Sequence, residues 1–138
     1  MSEKLNDIKM IVMDVDGTLT DGKIYLGNNG EEFKAFDVHD GYILAKCQEY
    51  GYITAIITGK NSKIVEKRAS DLRINEVYQG VTDKISVLKR LADKYEFEGE
   101  AEPFEDCGGG NTLGYICNLK ESVSAEDFGK TLKEIFGC

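Results

Sequence analysis

The chain has 138 residues, 41% of them hydrophobic, which suits one compact core and is short for two ordinary domains, so a single domain over 1–138 is expected. A net charge of −8 and a pI near 4.7 argue against a nucleic-acid binder, because such proteins hold phosphates with clustered Lys and Arg. No apolar run approaches the roughly 20 residues that span a bilayer, and MSEKLNDIKM lacks the order of a signal peptide, so a cytoplasmic protein with no membrane partner is expected.

Four cysteines, Cys47, Cys107, Cys117 and Cys138, form no CxxC pair and no zinc-site spacing with histidine, which points to free thiols. Ile8 to Val15, IKMIVMDV, is a near-continuous apolar run with an acidic residue near its end, as in a central parallel strand covered on both faces. Two β-prone stretches follow, Lys23 to Leu26 and Glu32 to Val38. They flank the turn formers Gly27-Asn28-Asn29-Gly30, so a β-hairpin flap over 22–38 is expected beside the strand end.

From Gly41 to Tyr50, Ile43, Leu44 and Cys47 have helical spacing, and Gly51 supplies a left-handed stop. Tyr52 to Ile57 reads as a second buried strand. Ser62 can cap a helix to about Leu72, Glu76 to Gln79 reads as a third strand, and Thr82 can cap a further helix with Ile85, Leu88, Ala92 and Tyr95 on one face. Alternating strands and helices predict an α/β fold, a doubly wound, mostly parallel sheet whose ligands lie beyond the carboxyl ends of its strands. The segment 96–138 diverges from this pattern: EFEGEAEPFEDCGGGN is acidic, holds the only proline and places three glycines together. Leu113 to Leu119 reads as a short strand, and Ser124 or Ala125 to Phe136 as a final helix.

In MDVDGTLTDG two carboxylates lie two residues apart after a buried strand, and alternate residues of an extended strand point the same way, so Asp14 and Asp16 converge on one pocket. Such a pair favours a hard cation with oxygen ligands, and Mg²⁺ suits it. One carboxylate, Asp14, can then attack phosphorus while Asp16 protonates the leaving oxygen and later activates water. A DxDG sequence also occurs as a calcium-like loop or a solvated turn; its position after a buried strand favours the chemical reading.

The order of hydrophobic run, DVDGTLT, IITG at Ile56 to Gly59 and a helix-borne Lys84 resembles the haloacid dehalogenase superfamily. The resemblance implies that Thr58 hydrogen-bonds the phosphoryl group and that Lys84 offsets its charge. It narrows to the 3-deoxy-D-manno-octulosonate 8-phosphate phosphatases and related sugar-acid phosphatases, which DVDGTLTDGKIYLGNNGEEFKAFDVHDGYIL, IITGKNSKIVEKRASDLRI and VYQGVTDKISVLKRLADKY follow almost without interruption from Ile8 to Tyr95. The resemblance implies a Mg²⁺-dependent phosphatase in lipopolysaccharide precursor synthesis with a hairpin flap and no large cap domain. It also implies a homotetramer in which neighbouring subunits close each site, and a substrate pocket drawn from Gly59, Lys60, Arg68, Asp40 and His39. Arg68 also reads as a surface charge, and His39, the only histidine, as a polar loop residue.

The family's fourth motif, a strand followed by GDDxxD, is replaced by FEDCGGGN. Asp106 is the best substitute for the third metal ligand beside Asp14 and Asp16, with Glu105 or Asn111 as helpers. Cys107 and Gly108 stand where carboxylates are expected. Roughly the last third of the chain falls outside the resemblance. Three alternatives stay open: a phosphatase for a nonulosonic acid 9-phosphate, a catalytically impaired relative that binds or regulates, and a phosphotransfer receiver domain, the last disfavoured by the DxDGT order and the hairpin.

Overall fold

The computed structural model describes residues 8–97 and 113–117 of the chain. The elements run β1 (Ile8–Met13), β2 (Tyr25–Leu26), β3 (Glu32–Phe33), α1 (Val38–Glu49), β4 (Ile53–Ile57), α2 (Lys63–Asp71), β5 (Glu76–Tyr78), α3 (Lys84–Lys94) and β6 (Leu113–Cys117). The main sheet has the order β5-β4-β1-β6. β1 and β4 are parallel, with Met10 beside Ile53 and Met13 beside Ile56, and β4 and β5 are parallel, with Ile57 beside Tyr78. β6 runs antiparallel to β1, with Leu113 beside Met13 and Cys117 beside Ile8. The expected doubly wound, mostly parallel sheet is therefore present, with one reversed edge strand.

The apolar run of β1 is continuous because both of its faces are covered. Ile11, Met13 and Val15 join Leu44 and Cys47 of α1 and Val65 and Ala69 of α2 in one buried cluster. Met10 and Val12 point the other way and pack with Ala55 and Ile57 of β4 and with Val87, Leu88, Leu91 and Ala92 of α3. Successive side chains of a strand alternate between faces, so one strand feeds two cores and is clamped from both sides. Among the described residues no helix is long and apolar enough to cross a membrane.

Two helix starts differ from the expectation, and a third falls where expected but is capped by other groups. α1 begins at Val38, not Gly41, because the Asp37 carboxylate accepts the His39 N–H at 2.7 Å and caps it. His39 and Asp40 therefore belong to a first helical turn, not to a loop, and Gly41 is interior. A Cβ on Gly41 would lie 3.0 Å from Leu72 Cδ2 and 3.1 Å from Arg68 Nη2, so the glycine admits the close approach of α2. The cap of α3 is Asp83, not Thr82: its carboxylate accepts from the Ser86 N–H at 3.2 Å and the Ser86 hydroxyl at 2.6 Å. The buried face consequently centres on Val87, Leu88, Leu91 and Ala92, and Ile85 stays 39% exposed. Ser62 occupies the cap position of α2, but its hydroxyl makes no capping bond. Instead the Gln79 amide grips its backbone, accepting from the Ser62 N–H at 2.8 Å and donating to its carbonyl at 3.2 Å.

The flap is shorter than expected, pairing only Tyr25 with Phe33 and Leu26 with Glu32. A two-stranded ribbon has no sheet neighbour to extend its ladder, and here a Thr20–Phe36 bridge closes its base. A polar brace centred on the buried Thr54 holds α1 against β4. The Gln48 amide donates to Thr54 Oγ1 at 3.0 Å and to the carbonyls of Leu72 and Arg73, while Asn75 Oδ1 accepts the Thr54 N–H at 2.9 Å.

Candidate active site

The carboxyl ends of β1 and β4 lie side by side, and the chain leaving each is held tightly. After β1, the Val15 carbonyl accepts N–H groups from Thr18 (3.1 Å), Leu19 (2.9 Å) and Thr20 (3.2 Å). Gly17 takes φ +82°, a left-handed step that glycine makes without steric cost. The Thr20 hydroxyl accepts the N–H groups of Gly17 (3.1 Å) and Gly22 (3.2 Å), stapling the two ends of the turn that carries Asp16. Thr20 was not distinguished in the sequence; its signal is its place between the two glycines.

Asp14 directly follows β1, and its side chain is 30% exposed. Lys84, the first residue of α3, brings its Nζ to 3.5 Å from Asp14 Oδ1. Thr58 is buried beyond the end of β4, its N–H bonded to the Tyr78 carbonyl at 2.9 Å and its carbonyl to the Val81 N–H at 3.0 Å. Those bonds fix the turn from β4 to the same loop that delivers Lys84. The expected group of Asp14, Thr58 and Lys84 therefore stands at one end of the sheet.

The flap contributes a residue missed in the sequence. Lys34 Nζ donates to Asp16 Oδ1 at 2.8 Å and lies 3.1 Å from Glu32 Oε1. Burial works against its charge, but the bonds to Asp16 and Glu32 outweigh that and keep the ammonium charged to higher pH than usual. A lysine on a hairpin ordinarily reads as a solvated charge, and the contact spans 18 residues, so neither composition nor periodicity marks it.

The substrate residues expected by resemblance divide in two. Gly59 and Lys60 are exposed just past Thr58. Arg68, Asp40 and His39 gather where α1 meets α2. Arg68 Nη2 donates to the Asp37 carbonyl at 3.2 Å, its guanidinium lies 5.4 Å from the Phe36 ring centroid, and its buried Nε has no hydrogen-bond partner among the described residues. Burial pushes the Asp40 carboxyl up, helped by the charge of Asp37 and offset in part by Arg68 and His39. His39 is exposed and bonds Asp37 through Nδ1 at 2.8 Å.

Asp14 and Asp16 offer an all-oxygen donor set, the chemistry a hard divalent cation takes. Among the described residues no three His, Cys, Asp or Glu side chains come together as a metal cluster. Asp106, Glu105, Asn111, Cys107 and the final helix lie outside the described residues. At the edge of β1 away from β4, β6 enters at the carboxyl end of β1 and leaves at its amino end.

No protein-family model matches the chain. Residues of the chain are 45% identical over 91 residues to 3-deoxy-D-manno-octulosonate 8-phosphate phosphatase KdsC of Escherichia coli K12, covering 66% of this chain and 48% of the relative. The chain thus spans about half the length of the curated relatives it matches. A solved structure of 3-deoxy-D-manno-octulosonate 8-phosphate phosphatase from Yersinia pestis superposes with a TM-score of 0.66 at 40% identity, over 68% of this chain and 51% of that one. The enzyme of that name from Moraxella catarrhalis, solved with magnesium, phosphate and KDO, gives a TM-score of 0.71 at 28% identity, over 98% of this chain and 89% of that one. In sequence and fold, the chain resembles the 3-deoxy-D-manno-octulosonate 8-phosphate phosphatases of the haloacid dehalogenase superfamily.

Proposed function

We propose that the chain hydrolyses the phosphate monoester of a sugar acid, 3-deoxy-D-manno-octulosonate 8-phosphate first, through an aspartyl-phosphate on Asp14. The observation that carries this reading is the Asp14–Lys84 pair at the carboxyl end of β1, with Thr58 fixed at the neighbouring strand end. Asp14 attacks phosphorus as Asp16 passes its proton to the departing sugar oxygen. Asp16 then takes a proton from water as that water attacks phosphorus and releases Asp14. Thr58 donates a hydrogen bond to a phosphoryl oxygen, and Lys84 offsets charge that builds there.

Asp14 and Asp16 would hold Mg²⁺, which supplies positive charge against the phosphate when bound. Arg68, beside Asp40 and His39, would meet the substrate carboxylate through its guanidinium, and Gly59 and Lys60 would approach the substrate from the turn after Thr58. The exposed flap side chains Ile24, Leu26 and Phe33 give an apolar surface for the proposed homotetramer, and a cytoplasmic location follows from the same reading.

The test is phosphate release from 3-deoxy-D-manno-octulosonate 8-phosphate, a nonulosonic acid 9-phosphate and simple sugar phosphates, with Mg²⁺ and with EDTA. Mg²⁺-dependent release supports the proposal and ranks the substrates. The replacement of the expected fourth motif by FEDCGGGN favours a second reading, a binding protein with impaired catalysis, because carboxylates that would hold the cation are missing from it. Silence across the panel from folded protein would select it.

A further inference from the structure

Lys34 lies in the flap, most of whose residues are exposed, and is nonetheless hidden. Its neighbour Phe33 is 59% exposed, whereas the Lys34 side chain is 8% exposed. Withdrawing an ammonium from water is costly unless charged partners replace the solvent, and here Asp16 and Glu32 do so at 2.8 and 3.1 Å. The Asp16 side chain is 40% exposed, so this bond selects one orientation of a carboxylate otherwise open to water. The flap base is joined to the same turn, since Thr20 both bridges to Phe36 and accepts the Gly17 N–H.

We propose that Lys34 is a positioning residue that couples the flap to the acid/base carboxylate: Glu32 holds the ammonium, and the ammonium holds Asp16 in the orientation for proton transfer. The proposal rests on the role given to Asp16 above. It implies that a flap out of place leaves Asp16 unaimed, so that proton transfer to the leaving group awaits the seated flap.

Alkyl and aryl phosphates separate this from a structural brace. An alkyl leaving oxygen needs the proton from Asp16, whereas p-nitrophenolate departs without it. In Lys34→Met, single-turnover cleavage of the sugar phosphate is expected to fall by about 10–100-fold, while the burst of p-nitrophenolate falls no more than about 3-fold. Lys34→Arg should restore most of the alkyl rate. In an Asp16→Asn background, Lys34→Met should add no further loss, because both changes remove one device. Equal losses on the two esters, or additive losses, would overturn the proposal.

Amide exchange reads the coupling without turnover: in Asp16→Asn, flap amides 24–34 should exchange about 10-fold faster than in wild type. Unchanged exchange would overturn the coupling. If Lys34→Met does not fold, Glu32→Gln, which loosens the ammonium without removing it, carries the same comparisons. A wild-type chain silent on both esters refutes the proposed function, and the exchange measurement then decides the coupling alone.

Discussion

Replacing Lys84 by Met separates the role of a charge in the resting protein from its role in the reaction. Two unit charges 3.5 Å apart attract by about 5 kcal/mol where the effective dielectric is about 20. Here the partners are 38% and 30% exposed, so solvent screening and the cost of ordering the pair leave about 0–1 kcal/mol of stability. During phosphoryl transfer Lys84 faces charge that grows on the phosphoryl oxygens, and loss of such a donor costs about 10²–10³ in kcat. Lys84→Met should therefore keep its urea midpoint nearly in place while single-turnover phosphate release falls by that factor. Unchanged turnover would refute the assignment. So would a loss of stability above about 2 kcal/mol with activity falling in step, which would make Lys84 a structural residue.

Glu76 is buried at the start of β5, and although burial opposes its charge, the Lys94 ammonium and the Tyr95 (2.6 Å) and Tyr78 (3.0 Å) hydroxyls hold its carboxyl below the usual range. A lowered folded value adds stability above the unfolded value near 4.5 and loses it as pH falls through the folded one. Glu76→Gln should thus cost about 1–3 kcal/mol at pH 7 in urea unfolding, and the gap should narrow below pH about 4.5. Leu91, 1% exposed between α3 and the sheet, should cost about 2–5 kcal/mol on change to Ala, read from the same unfolding curves. Cys47 is fully buried and its thiol is pushed up to about 11 by burial, so with the other three cysteines changed to Ser it should resist a thiol reagent at pH 8 until denaturant is added. Rapid labelling of the native chain would contradict that packing.

The central strand was legible because a strand covered on both faces is apolar at nearly every position, as the run Met10 to Met13 shows, with Lys9 the one polar residue of β1. The nearness of Asp14 and Thr58 was legible because parallel βαβ units bring successive strand ends to one edge, whereas Lys84, at a helix start, was marked only by the resemblance in motif order. Direction along β6 was not, because a run such as LGYIC has the same periodicity read either way. The start of α1 was missed because Val38 is 81% exposed and adds nothing to an apolar stripe; the Asp37 cap, a polar signal, was the better marker. Lys34 was invisible for a different reason. Its partner is set by how the flap folds over the turn after β1, a tertiary contact with no local signature.

The most direct measurement is covalent capture of phosphate on Asp14. Wild-type chain quenched in acid during turnover of radiolabelled substrate should retain protein-bound phosphate that hydroxylamine releases, as an acyl phosphate does, and Asp14→Asn should retain none while staying folded. Label that persists in Asp14→Asn, or turnover by that variant at the wild-type rate, would contradict the assignment of Asp14 as the nucleophile.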